Sequence, residues 1–485
     1  MLEHKDKGER SMVRFLSDEG VRKIHEQSLV ILEDIGVEVM HDGGLAMLQD
    51  AGAKVDHRTK MVKLPADLVE RCIAQAPKKI TLGARNPQRD LVLEVGGKTY
   101  SRNGGGIAQI LDVETREVRD ILLSDVIDYT RLIDGLDNID YAAAVYATDV
   151  PARVRDIRVL ESMFGNTEKH INVRLLSVKS LPYIIKMAEI VAGSKEQLKK
   201  RPLICFLESP MSPLRFPDVL VETLIVAGEY GIPVELCSMP MAGASGPITL
   251  SGDLLVCNAE MLAAIVVSQV AHPAAPLEFC PREVIMDMST GVAVYASIEK
   301  AMLQAAGAQM AAEHYGIPVT VHGPMTDSWI PDGQSLFERT YCTFLSAFAG
   351  ATVLAGAGDL HAALAVSPIQ LVIDDEIHGV LNRALEGFET SDDVLGVDAI
   401  FRAGVGGNYL VDKHTLKYLR SERYVSHLQT AEAWDSWTST GSRDFNERAK
   451  RRMQMILEEH QVAPLDENVA KMLRELVQSA ERELE

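Results

Sequence analysis

Seven aromatic side chains lie near predicted loops and could reach the mouth of a barrel, in a chain with only 5% aromatic residues. They are Tyr100, Phe206, Phe216, Phe279, Tyr295, Trp329 and Tyr409. Because an aromatic ring attracts a quaternary ammonium group by about 0.5 to 2 kcal/mol, these residues are candidates for a cage around a cationic ligand. Packing in the core is the alternative for each of them. Trp329, between Asp327 and Asp332 in a predicted loop, is the least typical of a core and the first to test.

Three cysteines and one histidine suggest a second chemistry, a zinc site. Cys205, Cys237 and Cys280 each fall in a predicted strand, and His322 lies near the end of another. Zinc binds thiolates and imidazoles that converge tetrahedrally. However, each cysteine has apolar neighbours, as core cysteines do, and the chain contains no CxxC pair. The pattern favours reduced thiols in a core, and no bound metal is predicted.

The sequence NGGG is a third candidate for ligand binding. Gly104, Gly105 and Gly106 allow a positive φ and a close approach of the backbone to a ligand. A simple turn is the alternative. The loop lacks the Lys and Ser/Thr of a Walker motif, and the pair Gly356 and Gly358 is not a dinucleotide fingerprint. No nucleotide cofactor is predicted.

Short apolar segments alternate with helical stretches from Ile139 onwards, which indicates repeated βα units. Seven segments are visible: IDYAAAVYATD, HINVRLLS, PLICFLES, VELCSMPM, PLEFCPRE, VTVHGPM and TVLAGAGD. Their spacing is that of βα units with their loops, so the sequence predicts an α/β fold built on a TIM (β/α)8 barrel. The eighth strand is not evident, and residues 404–411 and the region upstream of Ile139 are both candidates. The loops that follow the strands form the catalytic face of such a barrel.

Segments on both sides of the barrel complete the 485-residue chain. Residues 1–90 are predicted to form an N-terminal α+β cap, in which Ser17 caps the first helix and Gly36 follows it. Residues 91–416 are assigned to the catalytic TIM barrel. Residues 417–485 are assigned to a C-terminal helical extension, whose two amphipathic helices are expected to pack on the barrel or on a second subunit. A docking surface for a protein partner is the alternative.

An excess of acidic residues narrows the classes of partner. The chain has 49 Lys and Arg against 69 Asp and Glu, a net charge of −20, which disfavours nucleic acid and anionic membranes and favours a cationic small molecule or a basic partner. The first 15 residues contain scattered charges and no apolar run typical of a signal peptide, so a cytoplasmic protein is expected. The apolar stretch at residues 254–270 includes polar side chains and is predicted to be a buried helix, not a membrane span.

Three stretches of the sequence resemble one known family. They are RNGGGIAQILDVETREVRDILLSDVIDYTRLIDGLDNID, PMAGASGPITLSGDLLVCNAEMLAAIVVSQV and TDSWIPDGQSLFE. The most specific parts are the PMAGASGP loop that leads into NAEMLA, and the run Asp327, Asp332 and Gln334. On these residues the chain is similar to the trimethylamine methyltransferase (MttB-type) family over almost its whole length. The resemblance implies a TIM barrel with the substrate at its mouth, and a methyl acceptor that is the Co(I) corrinoid (cobalamin) of a separate corrinoid-binding protein, without zinc.

The resemblance also narrows the substrate. Family members that act on trimethylamine contain pyrrolysine, whereas this sequence is written with standard residues only. It therefore resembles the branch without pyrrolysine, whose known members demethylate glycine betaine and related quaternary amines. A quaternary nitrogen leaves as a neutral tertiary amine, which needs no proton. The expected reaction moves a methyl group from glycine betaine to Co(I) and gives dimethylglycine, with the protein supplying position and no assigned catalytic acid or base.

The site residues expected from this reaction fall into three groups. The cage candidates are Trp329, Tyr295 and Tyr100, with Phe206 and Phe279 as weaker ones. The acidic side chains expected to set a negative potential are Glu208, Asp327 and Glu278. The donors expected for a substrate carboxylate are His322, His361, Arg282 and the backbone N–H groups of Gly104, Gly105 and Gly106.

Alternatives remain open for both substrate and function. Trimethylamine, proline betaine, carnitine or butyrobetaine could replace glycine betaine. A methylated-amine binding protein without turnover is one alternative function, and a zinc methyltransferase acting on a thiol or methanol is another. A homo-oligomer is the expected assembly.

Overall fold

A computed structural model of the chain describes residues 13–484, so most of the segment considered for a signal peptide lies outside the described residues. The described chain begins with an α+β segment: α1 (Asp18–Asp34), β1 (Val37–Val39), α2 (Asp42–Asp50), β2 (Lys54–Asp56), β3 (Met61–Lys63), α3 (Ala66–Gln75), β4 (Lys79–Leu82), a 3-10 helix (Pro87–Arg89) and β5 (Leu91–Glu94). Ser17 Oγ accepts the N–H of Gly20 at 3.1 Å, and Gly36 has a φ of +82°. The predicted start and end of the first helix are confirmed.

Eight βα units follow, each with one parallel strand of the central ring. The first four are β6 (Tyr100–Asn103), β7 (Gln109–Leu111), β8 (Val118–Asp120) and α4 (Leu123–Gly135); β9 (Ala142–Ala143), a 3-10 helix (Ala152–Val154) and α5 (Arg155–Asn166); β10 (Ile171–Val173), a 3-10 helix (Val178–Ser180), α6 (Leu181–Ala192) and α7 (Lys195–Lys200); and β11 (Ile204–Glu208), β12 (Arg215–Phe216) and α8 (Asp218–Tyr230).

The second four units have the same plan. They are β13 (Val234–Ser238), β14 (Met241–Ala242) and α9 (Leu250–Ala271); β15 (Leu277–Pro281), β16 (Val284–Asp287), β17 (Val292–Val294) and α10 (Ile298–Gln309), extended by a π-helix (Met310–Tyr315); β18 (Thr320–His322) and α11 (Gly333–Phe348); and β19 (Val353–Ala357), β20 (Asp359–Leu360), β21 (Ala365–Val366) and α12 (Pro368–Glu386). The α/β fold class is confirmed.

The eight parallel strands pair in a closed ring. One sheet has the order β15-β13-β11-β10-β9, and a second has the order β18-β19-β6. Parallel bridges between Arg102 and Tyr141 and between Phe279 and Val319 join the two sheets on both sides. These pairings give the connectivity of the predicted barrel. The eighth strand is β6, upstream of Ile139; residues 404–411 form no strand, so that alternative is wrong.

The strand β6 has a polar sequence, YSRN, which explains why hydrophobicity does not reveal it. Arg102 lies inside the barrel, where its Nη2 donates to Glu235 Oε1 at 2.6 Å. The side chain of Asn103 donates to the carbonyl of Ala143 at 2.9 Å and accepts its N–H. A buried charge is tolerated when it is paired in this way.

The hairpin of β4 and β5 closes the amino-terminal end of the barrel. Ile80, Leu82, Leu91 and Leu93 form one buried cluster with three residues of barrel strands, Tyr141, Cys205 and Val353. An apolar plug at this end leaves the carboxyl ends of the strands as the place for a ligand, as in other barrels of this kind.

Six helices follow the barrel: α13 (Asp392–Leu395), α14 (Val397–Ala403), α15 (Lys413–Tyr418), α16 (Trp434–Ser439), α17 (Phe445–Glu459) and α18 (Glu467–Glu483). The helix α17 packs against α12 and α4, and α18 packs against α5 and α6, which confirms that the two amphipathic helices lie on the barrel. Because α12 ends at Glu386, the additional helices begin well before the boundary placed at residue 417.

The helix α9 is the one described helix that is long and apolar enough to cross a membrane. In the fold, 78% of its most apolar window is buried, and it packs against α1, α3 and α8. Its Glu260 accepts the hydroxyl of Ser238 at 2.6 Å and the N–H of Leu214 at 2.8 Å. It is the buried helix that the polar residues within it predict.

Candidate functional site

The inward-facing residues near the carboxyl ends of β13 and β15 carry sulfur and charge. Cys237 and Cys280 are direct neighbours in the register of these two strands. Arg282 follows β15, and its Nε donates to Cys280 Sγ at 3.1 Å while its Nη2 donates to Glu235 Oε1 at 2.8 Å. Burial by itself raises the pKa of Glu235, but Arg102 and Arg282 hold that pKa below its usual value. The charged carboxylate therefore fixes both guanidinium groups.

His322 and Asp359 form a buried polar pair at the ends of β18 and β19. His322 Nε2 lies 3.1 Å from Asp359 Oδ2, while His322 Nδ1 and Asp359 Oδ1 have no hydrogen-bond partner among the described residues. Burial raises the pKa of Asp359 to about 8, and burial together with nearby cations lowers the pKa of His322 well below its usual value. At neutral pH the pair is a neutral carboxylic acid beside a neutral imidazole.

Tyr295 connects this pair to a buried lysine. Its ring meets His322 edge-on at a centroid distance of 5.6 Å, and Lys300 Nζ lies 3.4 Å from the centroid of the Tyr295 ring. The Tyr295 hydroxyl donates to Met239 Sδ at 3.0 Å. Burial lowers the pKa of Lys300 to about 7, and its amine has no hydrogen bond within residues 13–484. One face of Tyr295 is therefore already occupied by an amine of the protein itself.

Trp329 and His361 form an aromatic pair in the loops that follow β18 and β19. Their rings stack at 3.8 Å with 21° between the planes, and Trp329 is 42% exposed. His361 Nδ1 lies 2.8 Å from the carbonyl of Asp327. His361, Ala362 and Ala363 have φ values of 41°, 56° and 62°, a left-handed run that side chains other than glycine seldom adopt. This loop holds one face of the indole against the imidazole.

Arg174 is a site residue that the sequence analysis missed. It follows β10 directly, its side chain is exposed, and its Nη1 would lie 3.7 Å from a Cβ placed on Gly106. In the described part of the chain its guanidinium makes no hydrogen bond or ion pair, although its charge acts on Glu208 and Cys237. Its position immediately after the segment HINV was the available signal.

Comparison with known proteins agrees with this arrangement. A family model described as trimethylamine methyltransferase (MTTB) matches residues 4–485. The trimethylamine methyltransferase MttB of Desulfitobacterium hafniense is 36% identical over 470 residues, covering 96% of this chain and 94% of that protein. The chain belongs to the trimethylamine methyltransferase family. The resemblance on which the sequence analysis relied is confirmed.

Two further comparisons place this family member among its relatives. A glycine betaine methyltransferase of Desulfitobacterium hafniense is 30% identical over 472 residues, covering 97% of each chain. The crystal structure of the monomethylamine methyltransferase MtmB of Methanosarcina barkeri superposes with a TM-score of 0.53 at 12% identity, covering 98% of this chain and 90% of that one. At that identity the likeness is one of fold.

Three aromatic residues predicted for the cage lie elsewhere in this family member. Tyr100 is the first residue of β6, at the closed end of the barrel, where Lys98 Nζ lies 5.0 Å from its ring. Phe206 is fully buried in the main core, and Phe279 stacks on Tyr315 of the π-helix at 5.8 Å. Both phenylalanines face the surrounding helices, so all three are corrected to packing residues.

The predicted acidic residues do not supply negative potential in the way expected. Glu208 turns to α8, where Thr223 Oγ1 donates to it at 3.3 Å, and Glu278 lies deep in the barrel, where Thr320 donates at 2.5 Å. Burial raises the pKa of each to about 8, so both are protonated at neutral pH. Asp327 accepts the N–H groups of Tyr295 and Ala296 at 2.9 and 3.0 Å, and thus joins the loop that follows β18 to the loop that precedes α10.

Most of the predicted carboxylate donors are already engaged. Gly104 donates its N–H to the carbonyl of Ala357 at 3.1 Å, and Gly106 donates to Ala144 at 2.8 Å. A Cβ on Gly104 would lie 1.6 Å from Asp359 Oδ1, and one on Gly105 would lie 3.0 Å from the Cβ of Ala143. The glycine loop is therefore required by close packing at the strand ends, and Arg282 is held by Glu235.

The zinc hypothesis gains no support from the positions of its residues. Cys237 and Cys280 are adjacent, but Cys205 accepts from Asn172 Nδ2 at 3.1 Å lower in the barrel, and His322 pairs with Asp359. Across the described residues, no three His, Cys, Asp or Glu side chains converge as a metal site.

Proposed function

We propose that the protein transfers a methyl group from a carboxylate-bearing quaternary amine, with glycine betaine as the best candidate, to the Co(I) corrinoid of a separate protein. The observation that carries this proposal is a pair of complementary groups on opposite sides of one barrel mouth. Arg174, whose guanidinium has no partner among the described residues, follows the third strand of the ring, and the Trp329–His361 stack belongs to the loops after the seventh and eighth strands.

Arg174 suits the carboxylate of such a substrate. A guanidinium binds a carboxylate through two parallel, charge-assisted hydrogen bonds. Burial keeps Glu208 and Asp359 protonated near neutral pH, so these nearby acids do not compete as anions. Arg282 adds a second positive charge on the same face of the barrel. The strand ends therefore favour an anionic group.

Trp329 suits the cationic end. Its exposed indole offers a π face that attracts a quaternary ammonium group only modestly. The methyl transfer does not need a carboxylate beside the nitrogen. Positive charge leaves the nitrogen as the methyl group departs, so a stronger ion pair would stabilise the bound substrate more than the transition state. A weak aromatic contact avoids this excess stabilisation of the bound substrate.

The transfer itself needs no acid from this chain. The bond between the methyl carbon and nitrogen breaks, its electron pair stays on nitrogen, and the product is dimethylglycine with a neutral tertiary amine and its carboxylate still ionised. The methyl carbon bonds to the cobalt of the partner, which here is a second substrate. The contribution of the protein is to hold the ammonium at Trp329 and the carboxylate at Arg174, so that one methyl group points out of the mouth.

A rim of apolar side chains supports docking of a protein partner over this mouth. The exposed residues of the strand-to-helix loops include Met239, Ile248, Met288, Trp329 and Leu364. Exposed apolar patches of this kind mark interaction surfaces. We assign this rim to the corrinoid-binding protein, and we include a cytoplasmic location and a homo-oligomer in the proposal.

Trimethylamine is the second candidate substrate, because the relative at 36% identity carries that activity in its name. It has no carboxylate and would leave Arg174 without a partner. A substrate screen with a reduced corrinoid protein distinguishes the two: loss of Co(I) absorbance is expected with glycine betaine and not with trimethylamine. Proline betaine, carnitine and butyrobetaine belong in the same screen.

The screen also tests the alternative functions. Tight betaine binding without loss of Co(I) absorbance would favour a binding protein. Stoichiometric zinc in the purified protein would favour the zinc methyltransferase. Absence of transfer from any methylated amine would contradict the proposed function.

A further inference from the structure

Two of the six cysteines are neighbours, and the proposed methyl transfer assigns no role to either. Cys237 and Cys280 are paired in register on the parallel strands β13 and β15, and they form one buried cluster with Leu207 inside the barrel. Neighbouring strands lie about 4.8 Å apart. That spacing falls within the Cα separation of about 4.4 to 6.8 Å that a disulfide spans.

The remaining cysteines have no such neighbour in register. Cys72, Cys257 and Cys342 lie on helices α3, α9 and α11, and Cys205 lies on β11 beside Asn172. The Cys237–Cys280 pair is therefore distinct by its position in the fold.

The two thiols differ in their hydrogen bonds, their pKa values and their exposure. Cys280 donates its S–H to Glu235 Oε1 at 3.4 Å and accepts from Arg282 Nε at 3.1 Å. The neighbouring Cys280 and the charges of Arg282 and Arg174 lower the pKa of Cys237 against the opposing effect of burial, whereas burial raises the pKa of Cys280. Cys237 is 5% exposed and Cys280 is fully buried. The difference in exposure and in pKa favours Cys237 as the attacking thiol and Cys280 as the resolving thiol.

We infer that Cys237 and Cys280 form a redox-sensitive dithiol, which a small-molecule disulfide oxidises to an intramolecular disulfide and a thiol reductant restores. The Cys237 thiolate attacks one sulfur of the small disulfide, forming a mixed disulfide and expelling one thiolate. Cys280 then attacks the Cys237 sulfur and loses its proton to the second departing thiolate. The protein gives up two electrons, and the small disulfide becomes two thiols when the first departing thiolate takes up the proton that Cys237 released on ionising.

Oxidation would alter the proposed active site. The disulfide removes the S–H donor of Glu235 and changes the sulfur that Arg282 contacts, beside Arg174 at the barrel mouth. This consequence rests on the proposed function, whereas formation of the disulfide does not. Because Co(I) is itself lost under oxidising conditions, the same conditions would disable both the methyl acceptor and this protein.

The experiment exposes the folded full-length protein to excess oxidised glutathione, alkylates the free thiols under denaturing conditions, and maps peptides by mass spectrometry. The expected result is loss of two of six thiols, a Cys237–Cys280 cross-linked peptide, and full reversal by dithiothreitol. Cys237→Ser and Cys280→Ser should each abolish the cross-link, and Cys72→Ser, the control at an isolated buried thiol, should retain it.

Three outcomes would overturn the inference: six intact thiols, a glutathione adduct that never resolves, or a cross-link between other cysteines. Circular dichroism of each serine variant verifies that the barrel has folded, and the wild-type peptide map stands without the variants. Methyl transfer, assayed separately after removal of the oxidant, should fall at least tenfold in the cross-linked protein and recover on reduction. A cross-linked protein without any methyl transfer before oxidation would contradict only the proposed function.

Discussion

The indole of Trp329 lies against the imidazole of His361 with ring centroids 3.8 Å apart, so the histidine covers one face of the tryptophan. Trp329 as a whole is 42% exposed, at the carboxyl ends of the barrel strands. This arrangement fixes the orientation of the only tryptophan among the predicted site residues, and it follows from the left-handed backbone at His361.

Replacing Trp329 by alanine should weaken substrate binding. Loss of a cation–π contact of about 1.4 kcal/mol raises the KM for glycine betaine about tenfold, and Trp329→Phe should retain most of the affinity. Steady-state kinetics of both variants provides the measurement. Trp434→Ala, at an exposed tryptophan of α16, is the control and should behave as wild type. An unchanged KM in Trp329→Ala would remove this residue from the site.

Arg174→Gln should lower kcat/KM more for a substrate with a carboxylate than for a substrate without one. Charge-assisted hydrogen bonds contribute about 1.5 to 3 kcal/mol, so kcat/KM for glycine betaine should fall about 10- to 100-fold. The turnover of tetramethylammonium, which has no carboxylate, should change little. Arg153→Gln, in the neighbouring 3-10 helix, is the matched control. Equal losses with both substrates would show that Arg174 acts through the fold instead.

Gly104→Ala should destabilise the protein through one contact. The added Cβ would lie 1.6 Å from Asp359 Oδ1, and overpacking of this kind costs about 1 to 3 kcal/mol. Urea denaturation should show the loss, and the cost should shrink when Asp359→Ala is introduced first. Gly333→Ala, where nothing lies within 4 Å, should be close to neutral. An additive double variant would refute the contact.

Glu283→Gln should change how stability depends on pH. Burial raises the pKa of Glu283 from 4.5 to about 8, so between these values the unfolded chain releases a proton that the folded chain keeps. Wild-type stability therefore falls with rising pH, by up to about 1.4 kcal/mol per pH unit from this group, and the glutamine variant should fall less steeply. Urea denaturation at pH 5 and pH 7.5 measures the difference.

Asp412→Asn provides the contrasting control for that experiment. The hydrogen bond from Arg402 lowers the pKa of Asp412 to about 2. Its contribution is present above the unfolded pKa of 3.8 and is lost only as the pH falls towards 2, so the slope between pH 5 and 7.5 should match that of wild type. Identical slopes for wild type and Glu283→Gln would contradict the proton assignment.

The segment beyond the barrel, with its helices and the loops between them, exposes several large apolar side chains, including Phe388, Phe401, Val405 and Leu410. We expect the protein to be a homo-oligomer that buries part of this surface. Light scattering should give a mass above the 53.2 kDa of one chain, and Phe401→Ser with Val405→Ser should lower it. A monomer at micromolar concentration would end this expectation.

The sequence by itself determined the features that depend on residues near one another along the chain. The alternation of apolar segments and helices predicted the βα units, Ser17 and Gly36 marked the first helix, and amphipathic periodicity identified the helices α17 and α18. Local periodicity and capping are encoded within one turn or one strand, so they can be read without the fold. The resemblance of three whole stretches also sufficed for the family.

The tertiary structure alone decided which side chains meet. In a strand, successive residues face alternately the barrel interior and the surrounding helices, so a shift of one position changes the side that a residue faces. Phe206 and Phe279 face the helices and lie in the core, whereas Cys237 and Cys280 face the barrel interior. The polar strand β6 is tolerated inside the barrel because Arg102 forms an ion pair with Glu235 of β13. The raised pKa of Glu208, and the absence of a partner for Arg174 within residues 13–484, depend on burial and on distant neighbours, which no local pattern specifies.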